Sequence, residues 1–195
     1  MWQPTYRVMK KTFFTLALLV GILSFSQAQQ VLSSSSLLSR DFSNEIKVNF
    51  LNLIVLGSVE VGYERYLSET HSLDFQVHIN DRFGYNSEGK GKEYKTNSIQ
   101  TGMNFYFGNG ESGRFYLFPF AKIRFGDFEE NNDGDITTTD MTAFIFGAGL
   151  GYKWEVTENF AFGPYASIAR GFSDEVANKF TRIEPNAGFS LGYRF

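Results

Sequence analysis

Cysteine is absent from the 195 residues, and histidine occurs only at His71 and His78. The first absence rules out disulfides, thiol nucleophiles, thiolate metal sites and lipid attachment to a mature N-terminal cysteine. No excess of basic charge exists either. The formal net charge is −3 and the isoelectric point lies near 5.5, against the basic stripe expected of a nucleic-acid partner. After Asn44 no convincing 3.6-residue periodicity appears, and no apolar run anywhere reaches the ~20 residues that a spanning helix needs.

Aromatic residues are abundant: 22 Phe and 10 Tyr help to bring their share to 17 %, while the mean hydropathy is only −0.21. A membrane β-barrel produces this combination, because every second strand residue faces inward and can be polar. At the N-terminus, Lys10 and Lys11 precede the apolar run "TFFTLALLVGILSF", and Ser26 and Ala28 occupy the −3 and −1 positions of a small-residue cleavage site. That pattern predicts a signal peptide over residues 1–28 and export of the remainder; a retained N-terminal anchor is the alternative. "QVLSSSSLLS" then reads as a flexible lead within residues 29–43, followed by one domain over residues 44–195.

Period-2 alternation fills that domain, the mark of strands with one apolar face. Ile46 and Val48 alternate with Lys47 and Asn49, and Phe50 continues the apolar row. Val59, Val61 and Tyr63 alternate with Glu60, Gly62 and Glu64, and Leu73, Phe75, Val77 and Ile79 with Asp74, Gln76 and His78. Further strands are read in "NSIQTGMNFYFG", "RFYLFPFAKIRF", "MTAFIFGAGLGYKW" and "NFAFGPYASIAR", and the last runs from Ile183 to Phe195. The fifth of these eight is aromatic on both faces, so its phase stays open. Links after strands two, four and six are short. Those after three, five and seven are long and polar, and the first, "LIVLG", is brief and apolar. An up-and-down barrel with tight turns at one end and long loops at the other has this rhythm.

An eight-stranded barrel has room inside for only one filling layer of side chains or one small ligand. The apolar rows are too bulky for that interior, so they are expected to face lipid. The opposite rows carry small residues and nearly balanced charges, which fit a narrow lumen if paired. The expected lumen network comprises Lys47, Glu60, Glu64, Asp74, His78, Lys153, Glu184 and Arg194, with Lys122 and Arg124 as further candidates. Tyr152, Trp154, Phe160, Tyr193 and Phe195 fall near the short-turn end, as an interfacial aromatic girdle would.

The fold expected is therefore all-β, an eight-stranded antiparallel up-and-down transmembrane β-barrel. On the signal peptide, the strand count, the loop rhythm and the terminal "GFSLGYRF", the chain resembles the small outer-membrane β-barrels of the OmpA/OmpX kind, particularly those of Bacteroidetes. The resemblance implies location in the cell outer membrane and a monomer surrounded by outer-membrane lipid. It implies recognition by the barrel-assembly machinery through a final strand in which Tyr193 and Phe195 form the signal. It also implies a structural or surface-interaction role, with a possible extracellular ligand at the loops. No enzyme activity, cofactor or nucleic-acid partner is expected; a small-solute pore is the alternative role and a lipid-modifying enzyme a lesser one.

Two patterns carry competing chemistry. In "EENNDGDITTTD", Glu129, Asn131, Asp133 and Asp140 fall at ligand positions of an EF-hand-like calcium loop, although the first ligand is Glu and strands flank the segment. His78 and Asp74 share a face, so a Ser–His–acid site is conceivable, but no motif marks a nucleophilic serine. "GAGLG" lies along a strand with no helix after it, which fits small lumen-facing residues rather than a nucleotide loop.

Overall fold

The structure, a computed structural model, describes residues 44–82, 91–108, 113–132 and 135–195. The expected signal peptide and flexible lead lie outside these residues.

The described strands are β1 (Asn44–Asn49), β2 (Val59–Tyr66), β3 (His71–Ile79), β4 (Lys92–Phe107), β5 (Gly113–Asn132), β6 (Asp135–Asp140), β7 (Ala143–Glu155), β8 (Phe160–Phe172) and β9 (Ile183–Arg194). All but β6 form the wall. Every pairing is antiparallel between successive wall strands, and β1 pairs with β9 to close the ring. The fold is an all-β, closed eight-stranded antiparallel barrel. At the seam Ile46 lies opposite Tyr193 and Lys47 opposite Gly192. Phe195 N–H donates to the Asn44 carbonyl at 3.0 Å, and Asn44 N–H returns a bond to the Phe195 carbonyl at 3.2 Å.

Alternation decides which way each residue faces. Phe75, Ile99, Phe144, Phe146, Leu150, Leu191, Tyr193 and Phe195 are exposed on the outer surface, while Glu64, Asp74, Ser98, Lys153 and Arg194 are buried inside. The strand that is aromatic on both faces now has a phase: Phe115, Leu117, Ile123 and Phe125 face out, and Tyr116, Phe118, Phe120 and Arg124 are buried. Room for these rings comes from glycines on β7. A Cβ on Gly147 would lie 2.5 Å from Phe120 Cζ, and one on Gly149 would lie 2.5 Å from Phe118 Cε1. Gly149→Val should thus displace Phe118 and destabilise the barrel by about 1–3 kcal/mol, the usual range for overpacking. The urea midpoint of tertiary-structure loss measures it.

Three expectations are corrected. The first strand ends at Asn49 rather than continuing through Phe50, because Phe50–Leu56 forms a helix, α1. The Asn49 side chain caps it by accepting the Asn52 N–H, and Gly57 ends it in the left-handed region at φ 66°. Here an apolar run with a capping Asn and a Gly stop outweighs the strand alternation before it. α1 packs beside β9, where Phe50 and Phe189 rings lie 5.3 Å apart, above the point where the β1–β9 pairing stops.

Second, parts of the polar segments expected as loops are regular strand. "KEYKT" belongs to β4, and the acidic "EENN" continues β5, which turns back into β6. This hairpin is paired through Glu129–Thr138 and Asn131–Ile136, on a part of β5 that lies past its pairing with β7. Third, the link after β8 holds a short helix, α2 (Asp174–Lys179), capped by Ser173. Arg65 needs no bulge: the ladder continues regularly through it, and its guanidinium donates to Asn44 Oδ1 at 2.7 Å on the outer surface.

Candidate functional site

The chemistry-bearing side chains converge in the lumen, in two ionic clusters joined by a polar middle. Nearer the short turns, Lys153 Nζ lies 3.0 Å from Glu45 Oε1, 2.8 Å from Glu64 Oε2 and 3.1 Å from the Tyr66 hydroxyl. Lys47 bridges Glu64 at 3.3 Å and Asp74 at 2.9 Å, and Arg194 Nε reaches Glu45 at 3.1 Å. Ser72 and Tyr106 donate hydroxyl hydrogens to Glu64 Oε1. Every charge here thus has a counter-charge, the condition for burying it.

The second cluster lies toward the long-loop end. Arg124 grips Glu184 through two parallel bonds of 2.9 and 2.8 Å and turns its Nε to Asp81 at 3.0 Å. Lys122 and Ser98 also donate to Asp81, at 3.1 and 2.8 Å. Forked guanidinium–carboxylate pairing adds geometric restraint as well as energy. Between the clusters Glu60 accepts from Asn49 at 2.8 Å, Asn52 at 2.6 Å and the Tyr165 hydroxyl at 2.9 Å.

Aromatic rings fill what the ions leave. Tyr116, Phe118 and Phe120 stack along the lumen face of β5, with Phe118 and Tyr165 meeting edge to face at 6.0 Å. Above the Arg124 cluster, Tyr94, Phe128, Met141, Ile145 and Val176 form a buried apolar layer, against which Phe180 packs. Charges, rings and an apolar cap therefore succeed one another along the interior.

Each residue of the expected network faces this interior, but the partners differ from those the sequence suggests. His78 sits beside Glu60, Nδ1 to Oε1 3.6 Å, while Asp74 binds Lys47 and Gln76 instead. Among the described residues no Ser–His–acid arrangement forms around His78. Ser98, opposite it in the ladder, donates to Asp81, and neither His78 nitrogen has a hydrogen-bond partner within the protein. His71 is the first residue of β3, just past the turn from β2, its Nδ1 2.8 Å from Thr70 Oγ1. Sequence reasoning missed Glu45 and Asp81. Glu45 had a usable signal, two residues before Lys47 and so on the same face; Asp81 falls just past the third strand, where a loop is expected.

Three of the four calcium candidates, Glu129, Asn131 and Asp140, lie on the two paired strands of a hairpin. Glu129 lies opposite Thr138 and accepts from Lys95 at 2.8 Å, whereas Asp140 lies opposite Asp127 and accepts the Thr142 N–H at 2.7 Å. Asn131 N–H binds the Gly91 carbonyl at 2.6 Å, and Asp133 lies outside the described residues. Among the described residues no group of three or more His, Asp or Glu side chains is placed to hold a metal ion.

Near the hairpin tip Lys179 of α2 hydrogen-bonds Glu130, and this bond, with help from Lys92, holds the Glu130 carboxyl below its ordinary value of 4.5. A lowered carboxyl pKa contributes stability that is present above the unfolded value and lost as pH falls through the folded one. Acidification from pH 6 to below 4.5 should therefore speed hydrogen exchange in α2 and the hairpin while wall amides stay protected. Equal protection of α2 at both pH values would contradict the pairing. Exposed pairs of this kind contribute little to global stability.

No protein-family model and no curated protein matches the sequence. Solved structures do. A major outer membrane protein from Thermus thermophilus superposes with a TM-score of 0.50 at 14 % identity, over 79 % of this chain and 98 % of that one. The N-terminal β-barrel domain of Pseudomonas aeruginosa OprF gives 0.48 at 19 % identity, over 78 % and 96 %. Ail, the attachment invasion locus protein of Yersinia pestis, gives 0.45 at 14 %, over 79 % and 97 %. At such identities the likeness is one of fold: the chain has the architecture of transmembrane β-barrels.

Proposed function

We propose that this chain is an outer-membrane protein whose filled barrel anchors an external interaction surface, built by the β5–β6 hairpin, α2 and the neighbouring long links. The observation that carries this reading is the division of faces. The outer wall presents aliphatic and aromatic side chains, while its interior is packed with paired charges and rings. A soluble barrel would place these the other way. Lipid offers no partner to backbone groups, and a closed sheet satisfies them all.

Tyr152 and Trp154, Trp154 and Phe162, and Phe160 and Tyr193 pair at 5.0, 5.4 and 5.2 Å near the short-turn end. This belt supports an interfacial position for that end. The chain then spans the membrane as a monomer, exported by a signal peptide at residues 1–28 and folded by the barrel-assembly machinery. The long-link end faces outward and is the side on which an extracellular ligand would bind. Among the described residues the central cavity of the interior, lined by Lys47, Glu60, Asp74 and Phe118 among others, has a volume of about 50 Å³. Filling of this kind favours anchoring over transport.

Two measurements test the reading together. The unboiled protein should migrate differently from the boiled protein on SDS gels, and protease added to intact cells should cut near the β5–β6 hairpin and leave the wall intact. Unchanged migration, with partition into the aqueous phase of a detergent, would overturn it.

A further inference from the structure

We infer that the lumen binds a small cluster of water molecules, about three, at Asn104 and His78, which completes the hydrogen bonding between the two ionic clusters. The inference concerns the interior alone and does not depend on what the external surface recognises.

Asn104 is 1 % exposed, and neither its amide oxygen nor its amide nitrogen has a hydrogen-bond partner within the protein. A primary amide can donate two hydrogen bonds and accept two, and leaving a buried one unserved is costly. His78 is 3 % exposed, its Nε2 has no partner in the protein, and its Nδ1 stands 3.6 Å from Glu60, too far for a direct bond. Both side chains line the same cavity of about 50 Å³, together with Lys47, Glu60, Asp74 and Gln100. A water needs roughly 10–15 Å³ of such space and two to four polar partners; the volume suits about three, and the amide and imidazole atoms, with the polar lining, supply partners.

The chemistry of the lining selects the occupant. Glu60 and Asp74 are matched by Asn49, Asn52, Tyr165, Lys47 and Gln76, and among the described residues no group of three or more His, Asp or Glu side chains is placed to hold a metal cation. The same carboxylates repel an anion. What stays unserved is the Asn104 amide and the two ring nitrogens of His78, and water can serve such atoms as donor or as acceptor. An apolar occupant would leave both unsatisfied.

The local backbone explains why the amide is there. The β4–β5 ladder runs regularly to Gly102–Phe120 and resumes at Phe105–Leu117, so Asn104 stands in the interruption, where the β5 register positions are Pro119, which has no N–H to donate, and Phe118, whose side chain has no polar atom. No side chain from β5 hydrogen-bonds the amide.

The full chain, refolded in detergent micelles with isotope-labelled Asn and His, provides the test. Long-lived water cross-peaks are expected at the Asn104 side-chain amide and at the His78 ring. In Asn104→Leu the His78 cross-peak should be lost and the urea unfolding midpoint should fall, because the leucine removes the partner of the cluster without filling the polar space. Absence of water cross-peaks at both residues in the unsubstituted protein would overturn the inference. So would a folded Asn104→Leu barrel with a raised midpoint, the behaviour of a dry cavity relieved of an unsatisfied amide. Should that variant not fold, the cross-peaks of the unsubstituted protein decide by themselves.

Discussion

Lys153→Met is expected to lower the unfolding free energy of the barrel by about 3–5 kcal/mol, the range found when one partner of a buried ion pair is removed. Lys153 is 3 % exposed and Glu64 is 0 % exposed, so neither can turn to water. The ammonium is the shared counter-charge of Glu45 and Glu64, and Tyr66 is its third neighbour. Methionine has a similar length and fills the space, so the cost isolates the charge rather than a cavity. Lys47 and Arg194 remain, but each already serves another contact, Asp74 and Glu155 respectively. Adding Glu64→Gln to the variant should recover part of the loss, because one uncompensated carboxylate is then removed. Reversible unfolding in urea, followed by heat-modifiable migration, reads both effects. A midpoint unchanged in the single variant would mean that the cluster is hydrated and weak.

Deletion of Phe195 is the second large effect. Its backbone forms both terminal hydrogen bonds of the β1–β9 seam, with Asn44 on the facing strand. At ~1 kcal/mol net per bond, their loss alone is about 1–2 kcal/mol, or roughly a tenfold shift in the closed fraction where 1.4 kcal/mol is a factor of ten. The proposal that Tyr193 and Phe195 form the assembly signal adds a kinetic loss, since β9 would be presented without its terminal ring. The folded, heat-modifiable fraction in cells should therefore fall about tenfold or more. An equal-length deletion in the "SSSS" lead should change it little. Equal folded levels of the two deletions would contradict both the seam and the signal.

Much of this was readable locally because a strand sends neighbours to opposite faces. Phe144, Phe146 and Leu150 against Gly147 and Gly149, or Leu191 and Tyr193 against Gly192 and Arg194, disclose their sides without any knowledge of partners. Lumen charges such as Lys47, Glu60 and Glu64 follow from the same parity. What stayed hidden depends on contacts distant in the chain. The phase of the fifth strand stayed open because Phe118 and Phe120 on one face are matched by Phe115 and Phe125 on the other. Phe118 and Phe120 point in because β7, across a strand boundary, has glycines opposite them.

The hairpin was obscured by its acids. Glu129 and Glu130 resemble a solvated loop, although the Thr137–Thr139 run is β-branched and favours a strand. In α1 the helix rests on one cap and one stop, Asn49 and Gly57, around seven residues whose apolar run equally suits a strand. The identity of ionic partners was the least accessible layer. That Arg124 grips Glu184, sixty residues away, follows from barrel register alone.

The central claim is that the closed wall carries a filled interior and serves as an anchor rather than a passage, and planar-bilayer conductance of the refolded full chain tests it most directly. Insertion confirmed by protease protection, with no conductance above the bare membrane, is the predicted result. Steady single-channel steps from the inserted, unsubstituted protein would contradict it.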